Sequence, residues 1–188
     1  TKVTAYEFPD NPVVDVIYAS HDDMSAIALD KNGKVHLAFG RMRVSDDDLA
    51  AANSSFYNFT DGLVYWNEDM PVLDTTLLND DQALFDAGMW VGSMEDYNNS
   101  GEIEFPDYSS PNLPMGKYFS SLTSMPQLAV DDFGNVFVTY SQCREDLIST
   151  GATPSAQVYR HLFTNSKMVG GEGWNDQRDL TDDIEHSF

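Results

Sequence analysis

A sixteen-residue segment that occurs twice constrains this chain more than any other feature. The run Met24-Ser25-Ala26-Ile27-Ala28-Leu29-Asp30-Lys31-Asn32-Gly33-Lys34-Val35-His36-Leu37-Ala38-Phe39 returns 101 residues later without a gap. The second copy is Met125-Pro126-Gln127-Leu128-Ala129-Val130-Asp131-Asp132-Phe133-Gly134-Asn135-Val136-Phe137-Val138-Thr139-Tyr140. Met, Ala, Asp, Gly and Val are identical at five positions, and most other pairs keep their apolar character. Each copy reads as a hairpin. A short apolar strand (27–29, 128–130) meets a four-residue turn whose glycine can take positive φ, then a β-branched and aromatic return strand (35–39, 136–140). A third strand is expected after each copy, at Gly62-Leu63-Val64-Tyr65-Trp66 and at Gln157-Val158-Tyr159-Arg160-His161-Leu162-Phe163.

A hairpin plus a third strand, repeated, is the unit of a β-propeller blade. The fold class expected is therefore all-β: a partial β-propeller of about two blades with a long loop-rich insertion. A blade occupies about 40–50 residues, so a spacing of 101 requires inserted chain. The resulting division is 1–20 as the end of a preceding blade or an N-terminal extension, 21–69 as the first blade, 70–120 as an Asp/Asn-rich insertion, and 121–188 as the second blade and the start of the next connection. No helix is strongly signalled. Residues 78–90 are the best candidate, with Leu84, Phe85 and Met89 loosely periodic, and residues 45–53 suit a solvated loop. Closing a ring and hiding its strand edges takes about four to eight blades, so the sequence reads as a fragment of a larger ring.

Charge narrows the partners. Thirty-one acids against ten bases give a formal charge of −21 and a pI near 4.1. That field repels phosphate backbones and anionic lipid, which argues against nucleic acid and membrane docking. It suits calcium, a solvated extracellular surface or a basic partner. No stretch approaches the about 18 consecutive apolar residues of a membrane helix, so direct membrane insertion is not expected. Cys143 is the only cysteine. It follows a strand-like run and reads as a buried thiol.

One motif carries chemistry. Asp96-Tyr97-Asn98-Asn99-Ser100-Gly101-Glu102-Ile103-Glu104-Phe105-Pro106-Asp107 matches the twelve-position calcium loop. Side-chain oxygens fall at positions 1, 3, 5, 9 and 12 (Asp96, Asn98, Ser100, Glu104, Asp107), Glu102 at position 7 offers its carbonyl, and Gly101 takes the sharp turn. Calcium is a hard cation that takes six or more oxygens at about 2.3–2.6 Å, which this spacing can provide. Asp in place of Glu at position 12, and Pro106 beside it, imply a loop without flanking EF-hand helices. An Asx-rich surface turn uses the same residue types. If calcium binds, its expected role is structural, ordering an insertion with little apolar core.

Other polar residues read as structure. His36 aligns with Phe137, a strand position that suits a packed ring, and His21, His161 and His186 lack zinc spacing. Arg41, Arg43, Arg144 and Arg160 are candidates for gripping a carboxylate, or for ordinary ion pairs with nearby acids. Among so many acids no catalytic pair stands out.

The second copy, its third strand and the following Gly170-Gly171-Glu172-Gly173-Trp174-Asn175 resemble a sialidase-like BNR repeat. The family's Asp-box, S-x-D-x-G-x-x-W, is matched by Gly171 and Trp174, while Lys167 and Val169 stand where Ser and Asp belong. The chain is also similar to large secreted propeller proteins of Bacteroidota, which carry an Asp-rich insertion after a segment like Tyr65-Trp66-Asn67-Glu68. Many of these end in a sorting domain read by the type IX secretion system. The resemblance implies an extracellular or cell-surface protein, and the function expected is non-enzymatic binding of a glycan or extracellular protein. Two alternatives stay open. One is a sialidase-type glycoside hydrolase, which needs three arginines and a Tyr–Glu pair at one mouth. The other is type IX cargo, or a component of a larger outer-membrane-associated assembly, with secretion translocon components as partners.

Overall fold

The computed structural model describes residues 4–5, 17–45, 55–57, 60–101, 103, 120–149 and 157–182. Its strands are β1 (Thr4–Ala5), β2 (Ile17–Leu29), β3 (Val35–Ser45), β4 (Ser55–Tyr57), β5 (Leu63–Asn67), β6 (Leu73–Asp74), β7 (Trp90–Gly92), β8 (Thr123–Val130), β9 (Val136–Ser149), β10 (Gln157–Lys167) and β11 (Arg178–Asp179). Two short helices, α1 (Thr75–Leu78) and α2 (Asp81–Asp86), lie between β6 and β7. The chain is all-β in character, and most of its strands form two antiparallel sheets. The first runs β2-β3-β5-β7 with β4 beside β3, and the second runs β8-β9-β10-β11.

The sequence repeat is reproduced bond for bond. Ala26 faces Ala38 and Leu29 faces Val35 in the first hairpin; Gln127 faces Thr139 and Val130 faces Val136 in the second. In the first turn the Asp30 N–H donates to the Lys34 carbonyl and Gly33 N–H to the Asp30 carbonyl, both at 3.0 Å. Asp131, Asn135 and Gly134 repeat those bonds at the same lengths. The Asp30 carboxylate accepts from the N–H groups of Asn32 and Lys34, as Asp131 does from Phe133 and Asn135. Gly33 and Gly134 sit at φ +80° and +90°, a region that side chains resist. Each first strand also carries a bulge with a positive-φ residue, Asp23 in β2 and Met125 in β8.

Alternation then decides what is buried. In β9, Val136, Val138 and Tyr140 point into the core while Phe137 is 41% exposed. Val136, Val138, Tyr140 and Phe163 of the second sheet pack against Ala38, Leu63, Tyr65 and Val91 of the first, forming a face-to-face seam. Full burial of such side chains stabilises by about 1.5–3 kcal/mol each. The first sheet's other face carries Phe39, Val64 and Trp66 and packs on Leu73, Leu78, Leu84 and Met89.

Of residues 70–120, read from the sequence as an insertion, 70–101 are described throughout and carry strand and helix. Strand β7 lies within them and completes the first sheet as its fourth strand, so that sheet does not end at residue 69. Within 78–90, the best helix candidate of the sequence, α2 occupies Asp81–Asp86, with α1 ahead of it. Asp74 and Asp80 cap the two N-termini through bonds to the N–H groups of Leu77 and Ala83. Gly88 stops α2: at φ +65° it donates to the Phe85 carbonyl, while Met89 N–H reaches the Leu84 carbonyl. That is a Schellman ending, which lets Met89 turn back into the core. Among the described residues no helix is long and apolar enough to cross a membrane.

Candidate functional site

The structure describes the first half of the calcium-type loop. The Asp96 carboxylate accepts from the N–H groups of Ser100 (3.0 Å) and Gly101 (2.7 Å), and the Asn98 side-chain oxygen accepts from Ser100 at 2.7 Å. Asn99 and Gly101 take φ +58° and +95°, so the backbone curls around Asp96. This half-loop is held to the second sheet by a bond from Asn98 N–H to Glu145. The side-chain oxygens of Asp96 and Asn98 thus share one tight turn, to which Ser100 is tied by its N–H. Glu102, Glu104 and Asp107 lie outside the described residues. Among the described residues, no three His, Cys, Asp or Glu side chains are grouped closely enough to hold a metal.

Three of the four singled-out arginines are engaged inside the fold. Arg41 is buried; it donates to the carbonyls of Asp61 and Leu78, pairs with Asp81 and lies 5.0 Å over the Trp90 ring. Arg144 pairs with Asp179 and Asp182 at 3.0 Å and stacks 3.8 Å over Tyr97. Arg160 donates to the carbonyls of Leu122, Ser141 and Ser121. Arg43 is exposed. His161 bonds Asp179 at 2.6 Å. Burial pushes the Asp179 carboxyl up, but bonds from His161, Thr181 and Arg144 outweigh it, and the group sits below the ordinary carboxylate value. Cys143 is buried, and burial pushes its thiol up, which disfavours the reactive thiolate.

Among the described residues, two clefts lie along the seam between the sheets. The larger, about 510 Å³, is lined by Phe85, Trp90, Glu95, Trp174, Asp176 and Gln177 among others. Three of these groups are held in place. Trp174 donates from Nε1 to the Gly88 carbonyl at 3.0 Å and meets the Tyr65 ring edge-on at 5.2 Å. Gln177 donates to the Ser93 carbonyl (2.8 Å) and to Glu95 (2.6 Å), and accepts from the Tyr140 hydroxyl at 2.8 Å. Trp90 lies over Gly62, where a Cβ would come within 2.4 Å of the ring. Phe85 stands at the rim, 66% exposed. The aromatic side chains offer apolar faces, and the carboxylates of Glu95 and Asp176 beside them offer hydrogen-bond acceptors. This is the make-up of a small-ligand site of ordinary size.

The second cleft, about 390 Å³, lies where the two hairpin turns approach the β10–β11 connection. Asp30, Lys34, His36, Tyr65, Asn67 and Lys167 line it. His36 is 5% exposed; its Nδ1 is 2.6 Å from the Tyr65 hydroxyl, which also accepts from Asn67 at 3.0 Å. Burial lowers the His36 pKa and raises that of Tyr65.

Sequence reasoning gave none of these cleft residues a binding role. Trp174 was visible only as part of a turn motif. His36 was visible as the one imidazole at a position where the repeat otherwise places a phenyl ring. The partners of both come from segments distant in sequence, so no local spacing could disclose them. Compared with known protein families, with curated proteins and with solved structures, the chain matches none.

Proposed function

We propose that this chain is part of a secreted or cell-surface β-propeller that binds a glycan without cleaving it. The larger seam cleft is the site. The observation that carries the reading is one cleft in which the anchored Trp90, Trp174 and Gln177 stand beside Phe85, Glu95 and Asp176. Sugar rings present an apolar C–H face and a rim of hydroxyls, and this pairing of aromatic faces with acceptors complements both. The propeller reading is supported by two four-stranded meanders whose hairpins share one register and which pack face to face. A ring would continue from the uncovered face of the second sheet. On the far side, the residues around α1 and α2 take up part of the face where a preceding sheet would lie. The acidic surface suits an extracellular setting. Engagement of Arg41, Arg144 and Arg160 by internal partners leaves a carboxylate-gripping arginine cluster without its members, so the binding reading is favoured over hydrolysis.

The test is a glycan array followed by calorimetry on the best ligand. Phe85→Ala and Asp176→Ala change exposed side chains and should each weaken binding by about tenfold, near 1.4 kcal/mol. Unchanged affinity in both would exclude this cleft. A structural Ca2+ is proposed for Asp96, Asn98, Ser100, Glu102, Glu104 and Asp107, supported by the oxygen-gathering turn at Asp96. Calorimetric calcium titration should give a saturable heat that Asp96→Ala removes; no heat in either protein would end that assignment.

A further inference from the structure

The smaller cleft contains an unsatisfied group. His36 is 5% exposed, and its Nε2 has no hydrogen-bond partner among the described residues. The nearest charged atom is the Asp30 carboxylate oxygen Oδ2, 3.9 Å away, beyond hydrogen-bond reach. A buried polar atom left this way is costly and calls for an explanation.

The surrounding bonds bear on what Nε2 offers. Asn67 accepts the Asp69 N–H through its side-chain oxygen, so its amide nitrogen is the end that donates to Tyr65. The Tyr65 oxygen accepts there, and we assign its own proton to the 2.6 Å bond with His36 Nδ1. With that assignment the imidazole proton resides on Nε2, which is a donor. Asp30 offers the opposite. Its Oδ1 is taken by the Asn32 and Lys34 N–H groups, and the bond from Lys34 leads the influences that keep it ionised. Its Oδ2 is an acceptor facing the same gap.

We propose that the gap between Asp30 and His36 is a hydroxyl-binding position, and that this cleft takes a neutral polyol or single sugar ring through it. A hydroxyl both accepts from Nε2–H and donates to Oδ2. A carboxylate could accept from His36 but would meet the Asp30 carboxylate across the same gap, while of the two lysines in the lining Lys34 is paired with Asp69 and Lys167 donates to the Gly88 carbonyl. An ammonium could donate to Asp30 but has nothing to accept the Nε2 proton with. The cleft volume, about 390 Å³, is within the range of small-ligand pockets. This site is separate from the aromatic cleft and stands on its own geometry.

The experiment is a titration of the 15N-labelled chain at neutral pH, reading the His36 ring resonances by NMR. The probes are galactose, mannose and inositol, with acetate and methylammonium as single-function controls. Saturable shifts with at least one neutral probe, and none with the controls, are expected. Asp30→Asn keeps an oxygen for the turn but replaces the Oδ2 acceptor by a donor, and should weaken binding at least about tenfold. Phe85→Ala, in the other cleft, should leave the titration unchanged whether or not that cleft binds glycan. His36 resonances that no neutral probe moves would mean that the gap holds water alone, and would overturn the proposal. Equal binding by Asp30→Asn would overturn it as well.

Discussion

At the scale of single residues, His36 shows how a repeat can locate a departure without explaining it. Its counterpart in the second copy is Phe137, so the sequence predicts a packed ring, and the ring is packed. What the sequence does not contain is the partner set. Tyr65 and Asn67 arrive from a strand some thirty positions away, and Lys167 from the other sheet. The burial that packs the ring also holds it neutral, with a pKa below the ordinary histidine value. Asp30 and Asp69 oppose that shift and Lys34 reinforces it, but burial dominates. The unfolded chain, with a histidine near 6.5, therefore binds more protons than the folded one once the pH falls to that region. Stability from this residue is fully present above about pH 6.5 and is lost as the pH drops through the folded value. Urea midpoints measured from about pH 7 down to pH 5 should fall less steeply in His36→Gln than in the parent protein. Parallel slopes would show that His36 titrates alike in both states.

Elements were legible in proportion to how local their cause is. The two hairpins follow from residues adjacent in sequence: an Asp whose carboxylate collects two N–H groups, a Gly at positive φ, and alternating apolar residues on either side. Their register could be foreseen from the repeat alone. The fourth strand of the first sheet could not. Trp90–Gly92 is three residues long, too short for alternation to show, and is placed by what precedes it. The ending of α2 at Gly88 does that placing, turning Met89 into the core and Trp90 onto the sheet. A substitution there tests the chain of cause. In Gly88→Ala the left-handed backbone costs about 1–2 kcal/mol, and the new Cβ would come within 2.8 Å of the flexible Lys167 Nζ. Thermal unfolding should report a loss of that size. Because Trp174 and Lys167 both bond the Gly88 carbonyl, glycan affinity at the larger cleft should fall with it. Loss of stability with unchanged affinity would show that the cleft does not depend on this turn.

For the whole molecule, the repeat relates a covered face to an open one. On the first sheet, His36, Ala38, Leu63 and Tyr65 lie on the face pressed against the second sheet. The equivalent positions on the second sheet, by ladder and by sequence, are Phe137, Thr139, Leu162 and Thr164. Leu63 is 0% exposed and Leu162 is 40%; His36 is 5% exposed and Phe137 is 41%. Phe133, at the turn beside them, is 82% exposed. Phe137 and Leu162 stand toward the two ends of this face with Thr139 and Thr164 between them, and large apolar side chains left uncovered in this way suit a cover. In a ring the cover is a further sheet presenting a face like that of Val136, Val138, Tyr140 and Phe163. Among the described residues of another copy no such face is free, because its own is sealed in the seam and the comparable face of its first sheet is packed against Leu73, Leu78, Leu84 and Met89. Between described surfaces two copies meet open face to open face, and a self-complementary contact closes at two. Sedimentation velocity on the chain expressed alone should therefore show a concentration-dependent dimer with no higher series. Phe137→Lys combined with Leu162→Lys changes only exposed side chains, and should give a monomer with an unaltered far-ultraviolet spectrum. A dimer that survives both charges would place the self-contact elsewhere and leave the face of the second sheet open in solution.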